Sequence, residues 1–376
     1  MRVGFRRVTF ADGETEVERV AESRRQSTGS AARGAVATPL TFLVLVGLLV
    51  LCILLGVGIG SVSIPPGRTI AILASAVGIG VEPSGPDTTI LLLVRLPRVV
   101  AAGLVGAALA TAGTSLQGLL RNPLADPYAI GASAGAALGA TVALALGLSA
   151  SFLGFGAVPA FGFLGALGAV LVVYRLARVN GVISNTGLLL AGFATSAVLG
   201  AGVTLLMVLS DPLATRLREL VLWLMGGVSV TGWEQLPTVF AVEVLSVALI
   251  LPHAGALDAL ALGEEQAAAV GVEVATERRI IIALASLQTA LAVSLGGLIG
   301  FVGLLVPHGL RLILGPAHRQ LLPATALGGA SFLILADLLA RTVASPNEIP
   351  VGVLTALVGG PVFLILLHRS RQNYDY

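Results

Sequence analysis

Apolar stretches long enough to cross a bilayer, parted by short polar joints, constrain this chain more than any other feature. They fall at 39–61, 97–118, 128–148, 153–174, 187–209, 235–251, 280–298, 300–315, 321–342 and 350–367. A hydrocarbon core takes about 20 helical residues to cross, and backbone groups inside it must be satisfied within the segment. Helices meet that demand, with the shorter stretches as helices buried in protein. The expectation is an all-α polytopic membrane protein of about ten transmembrane helices in a domain spanning 38–370. Charge agrees, since Asp, Glu, Lys and Arg make up 11% of the chain, against about 25% in soluble domains. The break near Gly296, Gly297 and Gly300 divides one long run in two, with room only for a tight turn.

Arginine sets the orientation. Cytoplasmic loops are enriched in basic residues. With the N-terminus inside, ten helices place Arg121, Arg175, Arg178, Arg278, Arg279, Arg311, Arg319, Arg369 and Arg371 on the inner side, and both termini are expected to be cytoplasmic. Arg68, Arg95, Arg98, Arg216, Arg218 and Arg341 then fall outside, against the rule. Guanidinium forks bind carboxylates in two-bonded pairs, so an external acidic partner is one explanation and simple tolerance the other.

Several chemistries are excluded. All 22 basic residues are Arg. A phosphate-binding G-x-x-x-x-G-K-[ST] loop therefore cannot be built, and neither can a lysine Schiff base. Cys52 is the only cysteine, so no disulfide forms within the chain. His253, His308, His318 and His368 are scattered, with no metal-binding spacing. No catalytic residues and no metal ligands are assigned. Residues 1–37 carry seven Arg and five acids without an apolar core, which reads as a disordered cytosolic tail rather than a signal peptide.

Inside the spans, ionisable groups are few. Asp337 stands four residues before Arg341, a helical ion-pair spacing, and Glu243 has no evident partner. A secondary transporter would concentrate such groups near the midplane, and their scarcity disfavours that class. Gly131, Gly135 and Gly139 recur every fourth residue, as in closely packed helices.

One polar segment interrupts the greasy half of the chain: ALGEEQAAAVGVEVATERR, residues 261–279, with six charges in nineteen residues. Glu264–Val270 suits a short helix stopped by Gly271, and a second short turn is expected before Arg278 and Arg279. Loops that merely join neighbouring helices are shorter. The whole polar insert, 252–279, is therefore expected to dock onto a partner.

Four segments carry a family resemblance: RLPRVVAAGLVGAALATAGTSLQGLLRNPLADPYAIGASAGA (95–136), ALGEEQAAAVGV (261–272), GFVGLLVPHGLRLILGPAHRQLLPATALGGASFLILADLLAR (300–341) and NEIPVGVLTALVGGPVFLILL (347–367). In this order they resemble the permease subunits of ATP-binding-cassette importers for cobalamin, ferric siderophores and haem. The resemblance runs from about residue 40 to 370.

The resemblance implies partners and roles. It implies a homodimer in the cell (cytoplasmic, inner) membrane, two separate ATPase subunits that hold ATP and Mg, and an extracytoplasmic substrate-binding protein. This chain itself would bind no cofactor and no nucleic acid. Leu262, Gly263, Glu264, Glu265, Gln266 and Gly271 match the segment that couples to the ATPase. Arg95, Arg98 and Arg341 match the arginines that receive acidic residues of the binding protein. Ser184, Asn185 and Thr186 match the cytoplasmic gate, with Asn185-Thr186 where a cobalamin member has Thr-Ser. The segment VLWLMGGVSV (221–230) resembles the cobalamin permeases more than the siderophore ones. Cobalamin is thus the expected cargo, with ferric siderophore and then haem as alternatives.

Overall fold

The structure, a computed structural model, describes residues 39–372 apart from 61, 77, 81–84, 180–181 and 231. The expected tail, 1–37, lies outside the described residues, as do 373–376. The chain divides into a short unit, Met1–Val44, and a large one, Leu45–Tyr376; every contact described below lies within the large unit.

Among the described residues, the helices of six residues or more begin with α1 (Pro39–Gly58), α2 (Pro66–Ala76), α3 (Pro86–Leu120), α4 (Ala132–Ala145), α5 (Ala157–Ala177) and α6 (Asn185–Leu209). They continue with α7 (Leu217–Leu224), α8 (Leu236–Leu262), α9 (Glu264–Ala269) and α10 (Val274–Gly296). The last are α11 (Val302–Leu314), α12 (His318–Thr342) and α13 (Val351–Gln372). Seven are long and apolar enough to cross a membrane, and α4, α11 and α13 are shorter apolar helices, matching the expected spans one for one. The chain is an all-α polytopic membrane protein. Among the described residues, two hairpins of two-residue strands ornament it: β1 (Ser151–Phe152) pairs with β2 (Phe155–Gly156), and β3 (Arg178–Val179) pairs with β4 (Val182–Ile183).

Several expected boundaries move, each for a local reason. The stretch expected to begin at 97 enters the bundle as α3 from Pro86. Pro97 looks like a helix start because it lacks an N–H, yet here it lies inside. The turn before it, Ile90–Arg95, is π-helical, which relieves the clash a proline ring makes with the preceding turn. The carbonyls of Leu92 and Leu93, which the missing amide cannot serve, accept the Trp233 indole N–H and the Gly232 N–H, each at 2.9 Å.

The stretch expected at 128–148 is also divided. A 3-10 turn over Pro127–Ile130 ends at Gly131, whose φ of 86° stops it, and only then does α4 begin. The stretch expected from 153 starts at Ala157, after the β1–β2 hairpin. Much of the polar insert is helix: α8 continues past Pro252 to Leu262 through a 3-10 turn at Leu251–His253, and α10 begins at Val274 rather than 280. The expected break between α10 and α11 is present, with Gly297 at φ 62° and Phe301 at φ 69°.

α10 and α12 are buried along most of their length, whereas α6 is largely exposed. Around α3 lie α12, α10 and α11, and α4 packs on α5. Lipid offers no hydrophobic drive for helix association, so close van der Waals approach has to provide it. A Cβ on Gly106 of α3 would stand 2.1 Å from the Gly329 carbonyl of α12, and one on Gly113 would stand 1.9 Å from the Gly303 carbonyl of α11. The ridge of α4 works the same way, with Gly135 against Gly165 and Gly139 against Phe161 of α5. Its first member, Gly131, contributes its backbone conformation as well.

Candidate functional site

Chemistry-bearing side chains gather at two opposite ends of the bundle. The end that carries α9 is termed the lower end.

At the lower end the chain leaves α8 at Gly263, whose φ of 140° and ψ of 154° only glycine adopts readily. α9 follows for six residues, Glu264–Ala269, and Gly271 at φ 88° turns the chain into α10. The short helix expected in this segment is therefore present, ending one residue early. Glu264 and Glu265 occupy its first turn, where the helix dipole favours negative charge. Ala267 is fully buried and anchors α9, while Leu262, Glu265, Gln266, Val270 and Gly271 are exposed. Leu262 and Val270 are apolar side chains held in the open, 77% and 73% exposed. A short amphipathic knob with an acidic edge is what a partner cleft can grip.

Ser184, Asn185 and Thr186 form the start of α6. The Ser184 hydroxyl caps the helix by accepting the Gly187 N–H at 2.9 Å. Asn185 donates through Nδ2 to the Leu120 carbonyl at the end of α3, 3.2 Å away. Thr186 faces outward.

Sequence reasoning placed Arg278 at the end of the cytosolic insert, after a short turn and before the span expected from 280. Instead it sits inside the first turns of α10, 4% exposed. Its guanidinium donates to the Ile183 carbonyl, to Asn185 Oδ1 at 3.2 Å and to Glu264 Oε1 at 2.6 Å. Arg121, in a left-handed conformation at the end of α3, approaches the same Glu264 oxygen at 3.9 Å. The expected coupling segment and the expected gate thus share one buried arginine. No sequence pattern marks Arg278, because its acceptors lie in two separate stretches, at Ile183–Asn185 and at Glu264, that only the fold brings together.

At the upper end the structure brings Arg98 and Arg341 to Asp337, and Arg95 to the end of α1. Asp337 is 1% exposed; its Oδ1 lies 2.9 Å from Arg98 Nη2, and its Oδ2 lies 3.4 Å from Arg341 Nε. The anticipated Asp337–Arg341 pair exists, but Arg98 is the nearer partner. Arg98 also reaches Glu348, 2.9 Å away, across the loop between α12 and α13. Arg95 and Arg341, 5% and 4% exposed, turn inward: Arg95 donates to the carbonyls of Val57, Gly58 and Val62, and Arg341 to that of Gly56. These are the unpaired carbonyls at and just past the end of α1. Of the three arginines expected to meet an external partner, only Arg98 keeps part of its side chain open. Arg68 pairs with Asp87 at 2.7 Å, while Arg216 and Arg218 are exposed.

Other buried polar groups staple the bundle. Glu243 of α8, unexplained by sequence, accepts from Gln288 Nε2 of α10 at 3.4 Å, and its second oxygen has no partner among the described residues. His253 and His318 each contact a carboxylate at 2.6 Å, Glu277 and Asp258 respectively, joining α8 to α10 and α12. Asp126, in the loop after α3, accepts the Tyr128 N–H at 2.8 Å. Burial pushes its carboxyl above the usual carboxylate range, against the pull of the Tyr128 and Phe301 amides.

Comparison with known proteins agrees with this architecture. The model of the FecCD transport family matches residues 48–369. The cobalamin import system permease protein BtuC of Halobacterium salinarum is 43% identical over 76% of this chain and 76% of its own length. The hemin transport system permease protein HmuU of Yersinia pestis is 42% identical over 76% of this chain and 84% of its own. Further relatives are named for siderophore and for molybdate transport. Among solved structures, one described as an inward-facing metal-chelate type ABC transporter superposes with a TM-score of 0.74. It is 34% identical and covers 88% of this chain and 99% of that one.

Proposed function

The chain belongs to the FecCD transport family and is an ATP-binding-cassette importer permease of that type; from that premise we propose that its cargo is cobalamin. The observation that carries this reading is the 43% identity to a cobalamin permease, together with the resemblance of residues 221–230. That segment is a packing joint: a Cβ on Gly226 would stand 2.3 Å from the Leu298 carbonyl, and the Trp223 carbonyl stands equally close to a Cβ on Gly297. Ferric siderophore and haem are the second reading, favoured by the 42% identity to a hemin permease and by the metal-chelate type transporter.

In the proposed assembly two copies of the chain, in the cell membrane, enclose a pathway between their α6 helices. A pair of ATPase subunits grips the two α9 knobs through Leu262, Glu264, Glu265 and Gln266, with Gly263 and Gly271 shaping the knob. ATP and Mg belong to those subunits, since a chain without lysine builds no Walker loop. ATP-driven approach of the ATPases moves α9, and the start of α6 at Ser184–Thr186 opens or closes the inner mouth. A substrate-binding protein docks at the upper end, where Arg98 offers an open edge backed by Arg95 and Arg341.

Uptake of labelled cyanocobalamin, an iron-loaded siderophore and haem, in cells with and without this chain, decides the cargo. Loss of cobalamin uptake alone is expected. Loss of iron or haem uptake alone keeps the permease and overturns the cargo. Retention of all three sinks the proposed cargo range.

A further inference from the structure

We propose that Arg278 is the positioning residue that transmits movement of the coupling helix to the inner gate, by holding Glu264 of α9 and the start of α6 on one guanidinium. The inference rests on the proposed assembly, and it names the atoms through which that assembly would act.

The bonding geometry carries it. Nη1 of Arg278 donates to the Ile183 carbonyl, immediately before the gate residues. Nη2 donates to Asn185 Oδ1, inside them, and to Glu264 Oε1, in the first turn of the coupling helix. Only Nε has no partner among the described residues. A guanidinium is a rigid planar fork, so its acceptors are fixed relative to one another as long as the bonds last. Asn185 extends the linkage through its Nδ2 to the Leu120 carbonyl, the last turn of α3. α9 and the start of α6 are thereby registered on one side chain, and the end of α3 on the amide bonded to it.

Burial makes the linkage stiff in one direction and breakable in another. Arg278 is 4% exposed, and Glu264 is its only carboxylate partner among the described residues. Drawing Glu264 away would strand a buried positive charge, a costly state. A small displacement of α9 therefore drags the guanidinium, and the guanidinium drags the gate. Beside the pair lies a cavity of about 320 Å³, lined by Tyr174, Arg178, Ile183, Glu264, Arg278 and Arg279 among others. It supplies room into which the side chains can swing when the displacement is large. Arg121, 3.9 Å from the same Glu264 oxygen, stands ready as an alternative partner at the end of α3. The carboxylate thus has two arginines to choose between.

Lysine at 278 would keep the charge and a bond to Glu264, but a single ammonium cannot span three acceptors in the same plane. That distinction gives the test a readout beyond folding. Thr186 is exposed at the gate, and Cys52, the sole cysteine, is fully buried. In the purified complex of permease, ATPase and binding protein, in lipid nanodiscs, a Thr186→Cys reporter is labelled with a charged thiol reagent. The rate on the permease band is compared without nucleotide and with the ATPase trapped in ATP. The parent reporter is expected to show a clear rate ratio between the two states. In Arg278→Lys, normalised to the amount of ATPase that copurifies, the ratio is expected to collapse to near unity while ATP hydrolysis continues.

A parent-sized ratio in Arg278→Lys overturns the proposal. If that variant does not assemble, Glu264→Gln, which removes the charge and leaves the other two acceptors in place, decides by the same criterion. If no ATPase copurifies with the unsubstituted chain, the importer assembly itself fails and the linkage falls with it. That outcome is distinguishable because it appears before any substitution is made.

Discussion

Asp337 Oδ1 stands 2.9 Å from Arg98 Nη2 and so ties α12 to α3 at the upper end, while its other oxygen faces Arg341. One buried carboxylate thereby balances a pair of arginines. Removing it leaves at least one uncompensated buried guanidinium, a loss of about 3–5 kcal/mol for a buried pair broken from one side. Asp337→Ala is expected to lower the thermal midpoint of the detergent-solubilised chain sharply. Glu348→Ala, whose carboxylate is about half exposed, is expected to change it little, within about 1 kcal/mol for an exposed pair. Equal midpoints for the two variants would contradict this account of the upper end.

The helix contacts predict a contrast between glycines. A Cβ on Gly113 would press into the Gly303 carbonyl at 1.9 Å, between two backbones that cannot give way. Gly168 of α5 has nothing among the described residues within 4 Å of the same added atom. Gly113→Ala is expected to abolish stable expression or cost about 3 kcal/mol, at the upper end for overpacking. Gly168→Ala is expected to be neutral or to gain up to about 1 kcal/mol of helix propensity. Size-exclusion profiles and thermal midpoints of both variants check the pair.

The number of spans, their approximate order and the split after Gly296 were legible because bilayer thickness and apolar run length are local quantities. The short helix α9 was legible too, since a charged segment with Gly271 behind it stands out in an apolar chain. What sequence could not reveal depends on contacts made at a distance. α3 looks broken at Pro97 until Trp233 and Gly232 are seen to serve the carbonyls of Leu92 and Leu93. Arg278 looks like a surface residue until Ile183, Asn185 and Glu264 close over it. Arg95 and Arg341 look outward-facing by topology alone, but the free carbonyls at the end of α1 draw them in.

The knob itself depends on Gly263. Its φ of 140° lies outside the range of side-chain-bearing residues, and an added Cβ would fall 2.0 Å from Gln266 Oε1. Gln266 can swing aside, but the backbone strain of roughly 1–3 kcal/mol remains. It is stored where α9 leaves α8, so Gly263→Ala is expected to reorient the knob without unfolding the bundle. Copurification of the ATPase should fall severalfold while the thermal midpoint stays near the parent value. A variant that binds the ATPase normally would show that the orientation of α9 is not what the partner reads.

Docking at the upper end can be separated from stability by leaving the buried arginines alone. Replacing Arg95 or Arg341 would orphan carbonyls at the end of α1, so any loss of docking there would be ambiguous. Arg98 and Glu348 form a better pair, 2.9 Å apart with Glu348 about half exposed. If a binding-protein carboxylate docks on Arg98, Glu348 is its internal competitor. Glu348→Gln then frees the open edge of Arg98 and is expected to strengthen docking severalfold, whereas Arg98→Gln is expected to weaken it. The effect should shrink as salt screens the approach, with a Debye length of about 8 Å at physiological ionic strength. Binding isotherms of the substrate-binding protein on nanodisc-embedded permease, at low and high salt, measure both. Weaker docking in Glu348→Gln would mean that the carboxylate, and not the arginine, faces the partner, and the polarity of the docking surface would have to be reversed.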